Sequence, residues 1–369
     1  MNAQGGFYGN ALQTASYYGQ KAIVQLLLER GANVNAQGGQ DGNALKAASR
    51  NGHKDIVQLL LERGAHVNAQ GPFGNALQAA SGYGHKEIVQ LLLEKGVDVN
   101  AQEKVYGNAL QTASRNGHKE IVQQLLEKGA DVNAQAGQYG NALHASPAHG
   151  HKEIVQLLLE RGADVNAQVG EYGNALQGAS WNGHKDIVQL LLERGADVNV
   201  QGRQFGNALQ AASSKGHKDI VQLSLERGAD VNAQGGQFGN ALQAVSGSGH
   251  KEIVQLLLER GADVNAQGGQ YGNALQTASY YGHKEIVQLL LERGADVNAH
   301  EGQYGSALQT ASYYGHKEIV QLLLEGGADV NAQGGPCGNA LQAASWYGHI
   351  DIVQLLLASG ADVSIQHSM

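Results

Sequence analysis

The chain has 369 residues, 42% of them hydrophobic, with a formal net charge of -8 and a single cysteine, Cys337. One cysteine excludes an intrachain disulfide, and interspersed charge signs leave no basic stripe for a nucleic acid backbone. The apolar runs are of the size of "IVQLLL", far short of a membrane span, and the opening "MNAQGGFYGN" lacks the basic start and apolar core of a secretion signal. From Gly9 the chain reads "GNALQTASYYG", and variants of this phrase return at Gly42, Gly74, Gly107, Gly140, Gly173, Gly206, Gly239, Gly272, Gly305 and Gly338. Nine of the ten spacings are 33 residues; the step from Gly42 to Gly74 is 32, with the lost residue in the loop "QGPFG". Eleven copies in register read as one repeat array over residues 1–369, not as several unrelated domains.

Within a copy the elements follow in a fixed order, numbered here from the opening glycine and illustrated by the copy at Gly272. Asn273, at position 2, is a helix cap, with Gln276 three residues on as its capping-box partner. Ala274, Leu275 and Ala278 share one face of a short first helix, and Gly282 at position 11 supplies a left-handed stop. The second helix carries Ile286, Val287, Leu289, Leu290 and Leu291, a stripe wide enough to require burial on two sides. Gly294 ends it, and "ADVNAQGGQY" is a turn-rich loop. A single copy cannot bury its own stripe, so copies must stack.

Helix–turn–helix units of 33 residues containing "GHKEIVQLLLERGADVNA" resemble ankyrin repeats, and the likeness covers essentially the whole chain. The resemblance implies an all-α solenoid of stacked units with β-hairpin-like loops along one edge, a concave face lined by first helices, and protein recognition as the activity. The family's "TPLH" stretch is "NALQ" here, with the histidine kept only as His144. The dialect is similar to ankyrin arrays of large fungal multidomain proteins, in which an NTPase domain often precedes the repeats; this sequence has no Walker motif.

Two places vary between copies. Positions 9 and 10 read Tyr17-Tyr18, Arg50-Asn51, Gly82-Tyr83, Arg115-Asn116, Ala148-His149, Trp181-Asn182, Ser214-Lys215, Gly247-Ser248, Tyr280-Tyr281, Tyr313-Tyr314 and Trp346-Tyr347. At about 100° per residue, position 9 points roughly 140° away from the buried leucine of its helix. The other variable place is the loop before the opening glycine. Of the 20 aromatic residues, ten sit at positions 9 or 10 and nine in that loop, including Phe73, Tyr106, Tyr139, Tyr172 and Phe205; none takes a helix core position. Regular loop rings read as a packing ladder, whereas positions 9 and 10 read as partner contacts, because Tyr and Trp give rigid, amphipathic binding area. The expected partner-binding residues are Tyr17, Tyr18, Arg50, Tyr83, Arg115, Trp181, Tyr280, Tyr281, Tyr313, Tyr314, Trp346 and Tyr347. Six of these, Tyr280, Tyr281, Tyr313, Tyr314, Trp346 and Tyr347, are expected to form one contiguous patch.

No catalytic constellation is present: "GHKE" is not a zinc-protease motif, and Cys337 lacks a partner. Ten histidines recur at position 12, but equivalent residues of stacked units stand roughly 8–10 Å apart, too far for shared ligation. They are expected to cap and connect helices. Pro147 inside a first helix, with Gln124 and Ser224 in place of second-helix leucines, predicts weaker copies from the fourth to the seventh. The expectation is a non-enzymatic scaffold without cofactor, metal or small-molecule substrate, binding a protein in the cytoplasm, with the nucleus as the alternative compartment. The alternative is a passive spacer, or a fragment of a multidomain sensor whose effector domain lies elsewhere. The terminal copies lack clear polar caps, so packing of an end against another domain or copy is also expected.

Overall fold

The computed structural model describes residues 7–137, 140–168, 173–300 and 302–364. Tyr139 and Tyr172, two of the expected loop rings, lie outside the described residues. The chain divides into two compact units, Met1–Gly170 and Glu171–Met369. Each unit is a stack of two-helix copies; in the copy at Gly272 the helices are Ala274–Tyr281 and Lys284–Glu292. Inside each unit, first helices pack closely on neighbouring first helices, and second helices meet one another more sparsely. The loops fold back as hairpins closed by single antiparallel bridges, such as Gly235 to Gly239 and Gly268 to Gly272.

The first helix starts where the sequence places it. Gln276 N–H donates to Asn273 Oδ1 at 2.9 Å, and Asn273 N–H donates to Gln276 Oε1 at 2.8 Å, a complete capping box. The glutamine then does more than cap. Its Nε2 donates to the carbonyls of Ala299 (3.1 Å) and Gly305 (2.8 Å), in the loop that opens the next copy. Gln78, Gln111, Gln210, Gln243 and Gln309 make the same reach. One buried carboxamide therefore satisfies a helix start and a neighbouring loop, polar groups that would otherwise be buried unpaired. The opening glycine follows from this: a Cβ on Gly107, whose φ is +78°, would collide with the Gln111 carboxamide oxygen.

The recurring histidines do not cap. They occupy the residue before the second helix, yet their side chains make no capping bond. His316 Nε2 instead donates to the carbonyl of Tyr280 at 3.2 Å, and His53 to that of Tyr17 at 2.9 Å, so each ring ties its copy to the end of the preceding first helix. A Cβ on Gly282 would stand 2.7 Å from the His316 ring, which explains a glycine there beyond its φ of +80°. A third tie runs along the second-helix ends, where Asn265 donates to the Gly294 carbonyl at 3.2 Å and accepts from Asp296 N–H at 2.7 Å.

Two irregular copies are visible as such. Pro147 shortens the first helix of its copy to Ala142–Ala145, followed by a 3-10 turn, Pro147–His149. The short copy carries Lys46 where nine of eleven copies have the glutamine. With the following loop one residue shorter, the Lys46 ammonium donates to the Pro72 carbonyl in that loop. Phe73, beside it, has φ +64°, the only non-glycine in the left-handed region among the described residues.

Candidate functional site

Second-helix leucines, isoleucines and valines form the core with the first-helix leucines and alanines, and the rings of positions 9 and 10 stay outside it. In the second unit they merge with the loop rings into one layer. Tyr280 contacts Tyr281 at 4.8 Å between centroids, Tyr314 at 4.4 Å, and the loop rings Tyr271 (4.3 Å) and Tyr304 (5.5 Å). Tyr313 contacts Tyr304, Tyr314 and Tyr347 at 5.3, 4.7 and 4.4 Å. In this unit the loop rings, expected to ladder among themselves, pack on the helix-end tyrosines, whereas in the first unit the loop rings Phe73 and Tyr106 do meet, at 5.8 Å. The structure brings together five of the six expected patch residues. Trp346 stands apart, 75% exposed and outside these ring contacts. Trp181, at the equivalent place, stacks on Phe205 of the following loop at 4.0 Å, and Lys215 lies over its ring at 4.1 Å.

The layer is also hydrogen-bonded. The hydroxyls of Tyr313 and Tyr347 are 2.5 Å apart, and the Tyr281 hydroxyl donates to that of Tyr271 at 3.2 Å. The Tyr347 hydrogen bond pushes the Tyr313 phenol up to about 12, and burial raises Tyr271 and Tyr314. The phenols of Tyr271, Tyr313 and Tyr314 stay neutral at physiological pH, and the layer is an apolar surface with hydroxyls at its edge.

In the first unit Tyr17 and Tyr18 pack on each other at 5.1 Å and on Tyr8. Beyond them lies a cavity of about 470 Å³, lined among others by Asp41, Lys46, Arg50, Tyr83, Tyr106 and Arg115. Arg50 is held at both sides, by a 3.0 Å ion pair to Asp41 and a 3.1 Å hydrogen bond to the Tyr83 hydroxyl, with its guanidinium 5.3 Å from that ring. Three expected residues, Arg50, Tyr83 and Arg115, therefore share one concavity. Lys46 and Asp41 were not among the expected residues. The signal was available: Lys46 breaks the glutamine column, and Asp41 replaces the usual loop ring.

Burial pushes the Lys46 ammonium down to about 8, with Arg50 adding to the effect and the carboxylates of Asp41 and Glu103 opposing it. The unfolded chain holds that proton up to about pH 10.5. Between these values the unfolded state binds more protons, so raising pH favours the folded state. Relative to Lys46→Gln, the wild type is expected to gain stability as pH rises from about 8 to about 10.5, measured as the difference in urea midpoints at the two ends of the window. An unchanged difference would return Lys46 to an ordinary solvated lysine.

Among the described residues no group of three or more His, Cys, Asp or Glu is placed to hold a metal, and no helix is long and apolar enough to cross a membrane. The stacked pairs, closed hairpin loops and inter-copy ties have a sequence counterpart: residues 1–71, 69–136, 134–202, 208–301 and 299–367 match the family model described as ankyrin repeats. The chain belongs to the ankyrin repeat family. No curated protein matches it. Ankyrin repeats are in general protein-interaction modules, and this ankyrin chain carries that role at the level of the family. Its glutamine column does the work of joining first helix to next loop.

Proposed function

We propose that the eleven copies act as one recognition array that holds a protein partner on the face of the first helices and loop tips. The carrying observation is that the described aromatic rings all lie at first-helix ends or in loops, while Tyr18, Tyr83, Tyr281, Trp346 and Tyr347 are each about half exposed or more. Large rigid rings with polar edges are the side chains that dominate interface energetics. Tyr280, Tyr281, Tyr313, Tyr314 and Tyr347 form the main contact area of this reading, with Trp346 beside it. Tyr17, Tyr18, Arg50, Tyr83, Arg115 and Trp181 are further contacts.

A displayed peptide library selected on the immobilised chain tests it. Ligands selected on the wild type should lose about tenfold or more in affinity for the Tyr280→Ala, Tyr281→Ala, Tyr313→Ala, Tyr314→Ala variant, as expected for a central aromatic cluster. Far-ultraviolet circular dichroism should match, since the rings lie outside the helix cores. A selection in which no ligand loses affinity for the variant would remove the tyrosine surface from the function.

A further inference from the structure

The departures from the repeat pattern gather in one place. The copy at Gly42 loses the glutamine column, replaces a loop ring by Asp41, shortens the next loop and holds Phe73 at φ +64°. Asp41, Lys46 and Phe73 line the same 470 Å³ cavity with Arg50 and Arg115. Local rules broken together at a single concavity mark a functional site more often than a packing accident.

The chemistry of the lining selects its occupant. Lys46 is 4% exposed, and its ammonium, with three donors, has the Pro72 carbonyl as its hydrogen-bond acceptor. Arg50 spends two of its five N–H donors, on Asp41 and Tyr83. Lys46, Arg50 and Arg115 line the cavity with one carboxylate, Asp41, which is paired with Arg50. Glu103 nearby is turned to the backbone N–H groups of Val105 and Tyr106. Phe73, Tyr83 and Tyr106 stand 58%, 57% and 42% exposed at the rim, open to an apolar neighbour of the entering group. Cations therefore outnumber carboxylates in the lining, the Lys46 ammonium is shielded from water, and the mouth is aromatic.

Resting on the reading of the first-helix face as a recognition surface, we propose that this cavity receives a carboxylate side chain of an acidic partner segment, with a flanking apolar residue on the rim rings. The cavity's cations gather at one spot, whereas the recurring second-helix lysines from Lys54 to Lys317 are each followed by Asp or Glu and leave no uncompensated track for a phosphate backbone. A cavity of this size holds a few side chains, not a folded domain.

The probe is a fluorescein-labelled hexapeptide, Glu-Leu-Glu-Glu-Leu-Glu, read by anisotropy against its Gln-Leu-Gln-Gln-Leu-Gln counterpart. The acidic peptide should bind the full chain at least about tenfold tighter than the neutral one, the scale of one lost charged hydrogen-bonded contact. Lys46→Gln, which restores the residue of nine other copies, and Arg115→Gln should each weaken it about fivefold or more. The four-tyrosine variant should bind it unchanged, which separates this site from the tyrosine surface. Equal binding of acidic and neutral peptides, no binding at millimolar peptide, or full affinity in both Lys46→Gln and Arg115→Gln would overturn the proposal. So would displacement by succinate or an eight-nucleotide oligo-dT at concentrations below that of the peptide itself, which would give the cavity to a small dicarboxylate or to nucleic acid.

Discussion

Replacing Ser224 by leucine is expected to stabilise the second unit by about 2–4 kcal/mol, combining the burial of a leucine side chain with removal of a buried unpaired hydroxyl. Ser224 lies in the helix Lys218–Glu226, is 0% exposed, and its hydroxyl finds no hydrogen-bond partner. The copies on either side place Leu191 and Leu257 at the same position, both also 0% exposed. The scaffold thus already accommodates leucine there twice, and the backbone geometry is that of its neighbours. The urea midpoint should rise, and amide exchange in Lys218–Glu226 should slow towards that of Lys251–Glu259. A midpoint that does not move, or falls, would mean the surrounding side chains have closed over the serine and leave no room.

Gln243→Ala should cost about 2–5 kcal/mol, because truncation leaves buried partners without a bond and each such group costs roughly 1–3 kcal/mol. Gln243 is 2% exposed. Its amide donates to the carbonyls of Ala266, Gly268 and Gly272 at 3.0, 3.2 and 2.6 Å, and its oxygen accepts from Asn240 N–H at 2.8 Å. The loss falls on the junction between two copies, so amide exchange should accelerate in the loop up to Gly272 and in the helix Ala274–Tyr281 as well as in the mutated copy. A surface-like effect below about 0.5 kcal/mol would show that the glutamine is a cap alone.

Much of the local structure could be read directly from residues. Asn273 with Gln276, and Gly282 and Gly294 at helix ends, encode their geometry within a few residues, which is the range over which capping acts. The histidine and glutamine columns were harder, because their partners are carbonyls some 23–36 residues away and carry no side-chain signature. A recurring polar residue announces that it is needed but not what it touches. The same limit separates the two ring groups: period alone assigns Tyr304 to a loop and Tyr313 to a helix, and only packing joins them at 5.3 Å. Trp346 was grouped with the tyrosines by position, yet the stacking seen for Trp181 depends on a loop ring from the following copy, Phe205. At Lys46 the exception itself was legible, since one column changes where one residue is missing.

The bonds that join copies span constant intervals, 23 and 29 residues for the glutamine of Gln243 and 36 for His316. Any insertion or loss of a whole 33-residue module therefore presents each donor with the same acceptor it had before, and the array can grow by duplication without fresh chemistry. The near-verbatim stretches at 270–288 and 303–321 fit that mode of growth. Loss of a single residue is different: between Gly42 and Gly74 it shifts the loop by one place, and there a longer, charged side chain bonds the Pro72 carbonyl instead.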